Sequence, residues 1–422
     1  MLLQSIGIPR MSRTRSDTIA LLLFALAVLE ALYLIGAVRF VGLFPAVGAD
    51  FRALYAAARI AREDGFAFVF DLERPVPVQQ ALCRVAGPEA PCVLIPMVFL
   101  PVFLLPILPL TFLGPVPAFA LWSAMNVFGT LALLRPWLSD LPAPLRNRYL
   151  AMALVAFPTF ANLLWGQSNL WLMLCVSLFL REWEQERSFW AGLWAGGLLL
   201  KPQTMVLLVP ALALARQWRV LAGLGAGVAI LVTASFLLAG PAGMATWARI
   251  LMGFSPPIPN LVPGVVGAET MMNWRSLGLL LAKMIPPVLA WALAGGGMAL
   301  TTGVALWAAW ANFRGPADRE RFTLGVLAAT CAATWHAHSH TAMVLLPPLL
   351  SMEARKALPA HALALWSLLP AWVPFVNIAL LAIHLIPSIA GLDALVAGKI
   401  LFGFHLYFTA WAALQTGHQD AP

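Results

Sequence analysis

The stretch VAFPTFANLLWGQSNLWLMLCVSLFL, residues 155–180, decides the fold. It is a long apolar run cut near its middle by Trp165-Gly-Gln-Ser-Asn169. The apolar residues on either side are continuous rather than alternating. That pattern reads as helix in lipid and not as the strands of an outer-membrane barrel. Each half is about 12 to 17 residues, whereas a spanning helix needs about 20. A short half-helix ends below the membrane surface, where exposed backbone survives only if it is buried in protein or lines a wet cavity. Two further runs are cut in the same way, at Lys201-Pro-Gln203 and at Trp335-His-Ala-His-Ser-His340. The three breaks together predict one polar cavity opening on one side of the membrane.

The rest of the chain agrees. Of 422 residues, 61% are hydrophobic and 10% charged, against about 25% charged in a soluble domain. Mean hydropathy is +0.85. Apolar runs recur from end to end and predict an all-α polytopic membrane protein of about 10 to 12 transmembrane helices. Residues 1–422 read as one domain, since no repeat or low-complexity segment divides them. The run Thr18–Val41 follows Arg10, Arg13 and Arg15 and is expected to be an uncleaved signal anchor with a cytoplasmic N-terminus. Short basic loops at 135–148, 181–187, 216–219, 314–321 and 353–356 join it on the cytoplasmic side by the positive-inside rule. The net charge of +8 is therefore an orienting charge, and nucleic acid is not an expected partner; membrane lipids are. The first long extracytoplasmic loop then runs from about 44 to 91, and the second from about 240 to 275. The Pro-rich stretch Ile95–Pro109 is expected to be re-entrant or partial.

The first long loop opens on Asp50, followed by FRALYAAARIARED. Phe51, Leu54, Tyr55 and Ala58 fall at i, i+3, i+4 and i+7 and form one apolar face. Arg52, Arg59 and Arg62 form another, so an amphipathic helix on the membrane surface facing lipid phosphates is expected. A second short helix is expected from about Pro77 to Arg84. Asp50 fits either a helix N-cap or a general base, since a carboxylate can take the proton of an attacking sugar hydroxyl. Asp71 poses the same choice between a cap and a substrate contact. Lys201 lies at membrane depth, where an ammonium is costly and marks function by default; it fits either a phosphate contact or a side chain that snorkels to the interface. Arg275 is a second candidate for phosphate, or else an interfacial anchor. Gln167 and Asn169 could cap helix ends or bind sugar hydroxyls. His336, His338 and His340 alternate, a spacing that does not converge on a metal, so polar lining without a metal site is expected. Cys83 and Cys92 could pair in an extracytoplasmic loop, while Cys175 and Cys331 lie inside apolar runs.

In order along the chain, several motifs resemble one family. These are Asp50-Phe51 with Tyr55-Ala-Ala57, Gly65 with Phe70-Asp71, Pro158 with Asn162, and Gly166-Gln167 with Asn169. Ala191-Gly192, Gly196 and Lys201-Pro202-Gln203 follow, and last the His-rich break running into Leu345-Leu-Pro-Pro348. The pattern, from about 48 to 350, resembles glycosyltransferase family 87, the bacterial polyprenyl-phosphate-mannose-dependent mannosyltransferases of GT-C type. The resemblance implies a GT-C-like bundle and inverting transfer of a sugar, mannose in the family, from a polyprenyl-phosphate donor to a lipid or glycan acceptor. It implies an active site on the extracytoplasmic face of the inner membrane, no cofactor and no metal, and the base on Asp50. Two departures bear on the substrate: Leu94-Ile-Pro96 stands where the family has Tyr-Pro-Pro, and Ala333-Thr334 where it has Ser-Pro. Against this stand a secondary transporter or lipid flippase, which would use broken helices in repeated halves, and a non-catalytic envelope scaffold.

Overall fold

A computed structural model describes residues 11–41, 47–71, 73–84, 95–251 and 271–357, with isolated positions beyond. Among the described residues there are helices and turns but no strand. The first apolar run falls in α1 (Met11–Val41). Two short helices follow, α2 (Ala49–Glu63) and α3 (Pro75–Arg84). Residues 95–113 hold only two 3-10 turns, Pro101–Leu104 and Leu108–Phe112. Prolines at 96, 101, 106 and 109 lack the N–H that an α-helix needs, so this segment does not span.

The next helix, α4 (Pro115–Leu134), is continuous. After it, α5 (Ala143–Val155) and α6 (Phe157–Trp165) form an apolar pair bent by 49°. Ala156 leaves the helical region at ψ 136 and Pro158 restarts the helix near its first position, where no N–H is required. Then come α7 (Asn169–Glu184), α8 (Ser188–Gly196) and α9 (Leu208–Leu214). The long α10 (Trp218–Leu251) kinks at Gly240-Pro241. The second loop expected from about 240 therefore begins as helix, and Trp247 reaches back to donate to the Val98 carbonyl at 3.1 Å. Residues 252–270 lie outside the described part. The chain resumes with α11 (Trp274–Leu281), α12 (Pro287–Asn312), α13 (Arg319–Ala333) and α14 (Leu346–Ala354).

Among the described residues three helices are long and apolar enough to cross a membrane, four if the bent pair is one span. Of the other apolar runs, the first falls in α1, some are broken into shorter helices, as at 188–214, and some lie beyond residue 357. The faces are those of a protein in lipid. On α12 the buried positions are small (Ala290, Ala294, Ala305, Ala309), while Val288 is 84% exposed and Leu289, Leu293 and Leu300 also face outward. In water such a surface would be an aggregation liability, whereas lipid is an equally apolar solvent.

Small residues bring α8 and α10 into backbone contact. A Cβ on Gly192 would lie 1.8 Å from the Val220 carbonyl oxygen, and one on Gly223 1.9 Å from that of Phe189. No side chain can yield there, because the obstacle is backbone. Gly192→Ala is therefore expected to destabilise the protein by about 1–3 kcal/mol or more, read as a lower thermal midpoint in detergent; an unchanged midpoint would contradict the close packing.

At the end of the bundle remote from the breaks, three of the basic loops meet. Arg319 reaches Glu186 at 3.9 Å, and Arg355 reaches Glu320 at 3.1 Å and Glu184 at 3.9 Å. Arg319 also donates to the Trp183 carbonyl. The loops at 181–187, 314–321 and 353–356 thus share one side, as the charge pattern required.

Candidate active site

The first break is built by Gly166. It ends α6 in the left-handed region at φ 68. Its N–H bonds the Leu163 carbonyl, and the Gln167 N–H bonds that of Asn162 at 2.8 Å. This paired pattern closes a helix on glycine. Gly166 is needed for space as well, since a Cβ there would fall 2.5 Å from the Cβ of Phe51. The start of α2 is thereby pressed against the break, and the Gly48 N–H donates to the Leu164 carbonyl at 2.6 Å. Gly48 is the N-cap of α2, and Asp50 stands within its first turn. Asp50 is therefore not the cap; its side chain is free to face the break, where it accepts a hydrogen bond from Gln167.

The second break comes to the same place. The Lys201 Nζ donates to the Gln167 Oε1 at 3.0 Å and to the Asn169 Oδ1 at 2.8 Å. Lys201 is 6% exposed. An ammonium has three donors; two are held by amide oxygens, and its charge acts on Asp50.

The third break is drawn in by the segment before α11. The Met272 N–H bonds the Ala337 carbonyl at 2.9 Å, and the Asn273 side chain donates to the Thr334 carbonyl at 2.8 Å while capping α11 through the Ser276 N–H. Arg275 then lies 4.1 Å over the Trp335 ring and donates to its carbonyl at 3.4 Å. The three histidine rings pack in series, His336 to His338 at 4.9 Å and His338 to His340 at 5.3 Å. Burial, and then the positive charges of Lys201 and Arg275, push the His336 imidazole down to about 4, so it is neutral at pH 7. The three breaks thus converge, and Asp50, Gln167, Asn169, Lys201, His336 and Arg275 belong to one cluster. Asp50 and His336 both keep solvent-accessible surface, although both are crowded enough for burial to dominate their protonation.

Burial pushes the Asp50 carboxyl up to about 6. Lys201, the Gln167 hydrogen bond and Arg52 oppose the shift without cancelling it. Such a carboxylate is ionised at neutral pH yet basic enough to accept a proton. Among the described residues no three His, Cys, Asp or Glu side chains come together in a way that could hold a metal ion.

A family model for glycosyltransferase family 87 matches residues 99–334, more than half of the chain. This chain belongs to glycosyltransferase family 87. It is a glycosyltransferase with the helices of a membrane protein. No curated protein and no solved structure matches it. The family 87 match contains Gln167, Asn169, Lys201 and Arg275, while Asp50 and the histidines fall outside its limits.

Other residues are placed differently from the sequence expectation. Arg52 was assigned with Arg59 and Arg62 to a lipid-facing strip, but it is 1% exposed and its charge acts on Asp50. The reason is that α2 is enclosed by α3, α4 and the turns at 66–68 and 108–112 rather than lying on a surface. Arg59 is exposed and pairs with Glu63 at 3.0 Å. Arg62 donates to the Thr111 carbonyl at 2.6 Å and lies over Phe112. Asp71 sits in a separate, half-exposed network: it accepts from the Glu73 N–H and from Arg74, which also pairs with Asp64. These bonds close the turn before α3, whose first residue is Pro75, so Asp71 is not a helix N-cap. Cys83 is disulfide-bonded and Cys175 and Cys331 are free; Cys92 lies outside the described residues. The sequence reading missed Trp122 and Asn126 of α4, which touch the first break. An amide inside an otherwise apolar span was the available signal.

Proposed function

We propose that this family 87 enzyme moves a sugar, mannose by family resemblance, from a polyprenyl-phosphate donor to a lipid or glycan acceptor with inversion at the anomeric carbon. The observation that carries the reading is the convergence of Asp50 with Lys201 and Gln167 on one pair of broken helices. A carboxylate and a buried cation at one site suit a reaction that needs a base at one end and an anion stabiliser at the other.

In the reaction, Asp50 takes the proton of the acceptor hydroxyl as its oxygen attacks the anomeric carbon. A new carbon–oxygen bond forms on one face of the sugar while the bond to the phosphate oxygen breaks on the other. The bonding electrons leave with the polyprenyl phosphate. Lys201 and Arg275 are the cations for that developing charge. The Arg275 guanidinium is held flat by Trp335, and its Nε is buried without a partner, so a phosphate oxygen would supply the bond it lacks. His336, being neutral, can hydrogen-bond sugar or phosphate without adding charge. A GT-C-like arrangement in the bacterial inner membrane, with the cluster on the extracytoplasmic side, would let a lipid-linked donor reach it from the bilayer.

Two results test this. Reconstituted protein given radiolabelled polyprenyl-phosphate-mannose and membrane lipid acceptors should form a new labelled lipid, and GDP-mannose should give none. Label from GDP-mannose alone would overturn the donor assignment. The protonation of Asp50 sets a second expectation. Its active form is the carboxylate, and its folded value is raised, so the base is lost as pH falls through about 6. The value of kcat/KM should rise through that pH. A profile flat from about pH 5 to about pH 8 would contradict the assignment.

A further inference from the structure

The helix α4 is largely apolar but carries Trp122 and Asn126, with Ser123 and Thr130, along its length. Trp122 and Asn126 lie four residues apart and share a face, and are 8% and 2% exposed. The opposite face, Val116, Leu121, Met125 and Phe128, is exposed as a lipid-facing surface would be. Buried amides in a span are costly unless every group is satisfied, so the direction of their bonds is informative.

The bonds run in one direction. The Asn126 Nδ2 donates to the Trp122 carbonyl at 2.9 Å, which leaves its Oδ1 to accept from the Asn162 Nδ2 at 3.0 Å. The Asn162 Oδ1 then accepts from the backbone N–H of Asn169 at 3.2 Å. Separately, the Trp122 indole N–H donates to the Gly166 carbonyl at 3.1 Å. A simple interhelical glue would end on a neighbouring helix. This ladder ends at the facing ends of two helices, on the backbone of Gly166 that closes α6 and of Asn169 that opens α7, the two residues that bracket Gln167 and Ser168. The side chains it fixes, Gln167 and Asn169, are the two that hold the Lys201 ammonium.

We infer that Trp122 and Asn126 are positioning residues: they clamp the 166–169 break from outside and so set where Gln167 and Lys201 stand relative to Asp50. This rests on the proposed role of Asp50, Gln167 and Lys201. Neither Trp122 nor Asn126 touches the reacting atoms in this scheme. Removing the Asn126 amide leaves the Asn162 amide unrestrained, and its partner the Asn169 N–H with it. Gln167 and Lys201 then lose their fixed distance to the carboxylate.

The test uses reconstituted full-length protein with Asn126→Leu, Asn126→Asp and Trp122→Phe. A neutral carboxylic acid at 126 can donate and accept as the amide does, so Asn126→Asp is the conservative rescue. Asn126→Leu should lower kcat per folded molecule about tenfold or more and move the acid limb of the pH profile upward, because Lys201 and Gln167, two of the three groups that favour the Asp50 carboxylate, are displaced. Asn126→Asp should restore most of both. Trp122→Phe, which removes the indole N–H together with part of the ring, should shift both in the same direction by less, and serves if Asn126→Leu fails to fold.

A purely structural amide would lower the thermal midpoint and leave kcat per folded molecule and the acid limb at wild-type values. That outcome overturns the inference, as does a fall in kcat with an unmoved limb that Asn126→Asp does not rescue. If the wild type transfers no sugar from polyprenyl-phosphate donors, the functional reading has failed and the clamp is judged by infrared titration. The Asp50 carboxyl band, identified by its loss in Asp50→Asn, should titrate at higher pH in Asn126→Leu. An unmoved band overturns the clamp.

Discussion

Asp50→Asn should fold, bind donor and lose sugar transfer by about 10²-fold or more. The substitution is nearly isosteric and changes no cap, because Gly48 rather than Asp50 caps α2. The amide oxygen of the new side chain can still accept from the Gln167 Nε2, which leaves the Gln167 Oε1 on Lys201. The loss should therefore fall on kcat, with the thermal midpoint changed little. Asn cannot accept a proton at any accessible pH, so the acid limb of the profile should vanish along with the activity. Near-normal turnover in Asp50→Asn would remove Asp50 from the mechanism and leave its raised protonation a consequence of packing alone.

Lys201→Met should be nearly as severe, by a different route. Methionine fills the space of the Lys stem but offers no charge to a departing phosphate. Loss of one such preorganised donor costs about 10² to 10³ in turnover elsewhere, and the fall is expected in kcat/KM for the lipid-phosphate donor. The charge on Lys201 also favours ionised Asp50, so whatever activity remains should show its acid limb at higher pH. Lys201→Arg should not rescue. The site is 6% exposed and holds the ammonium between two amide oxygens at 3.0 and 2.8 Å, a space that a planar guanidinium does not fit. Unchanged donor affinity and turnover in Lys201→Met would make the residue an anchor only.

The site was legible in the sequence where polar residues interrupt apolar runs. Gly166-Gln167, Lys201-Pro202 and the His-rich stretch could be found because lipid tolerates no unsatisfied backbone, so each interruption had to be enclosed by protein. Their assignment to one side by the positive-inside rule led to the expectation that they share one cavity. The Pro-rich segment before Gly114 was legible for a similar reason, since four prolines in fourteen positions forbid a helix. Arg52 was not legible. Helical periodicity assigns it to a polar face, but only the packing of α3, α4 and two turns around α2 shows that this face is buried. Asp71 looked like Asp50 in sequence, a carboxylate near a helix start, and only its partners Arg74 and the Glu73 N–H separate the two. Trp122 and Asn126 were hidden because one Trp and one Asn in a span are unremarkable until their partners are known.

In the proposed reaction Asp50 acts as a base in a direct displacement, not as a nucleophile. The measurement that tests it most directly is the anomeric configuration of the product. A donor labelled with carbon-13 at the anomeric position, turned over by the reconstituted enzyme, gives that configuration by nuclear magnetic resonance. The account predicts a product of opposite configuration to the polyprenyl-phosphate donor. Retention would require two displacements through a covalent sugar–enzyme species and would contradict it.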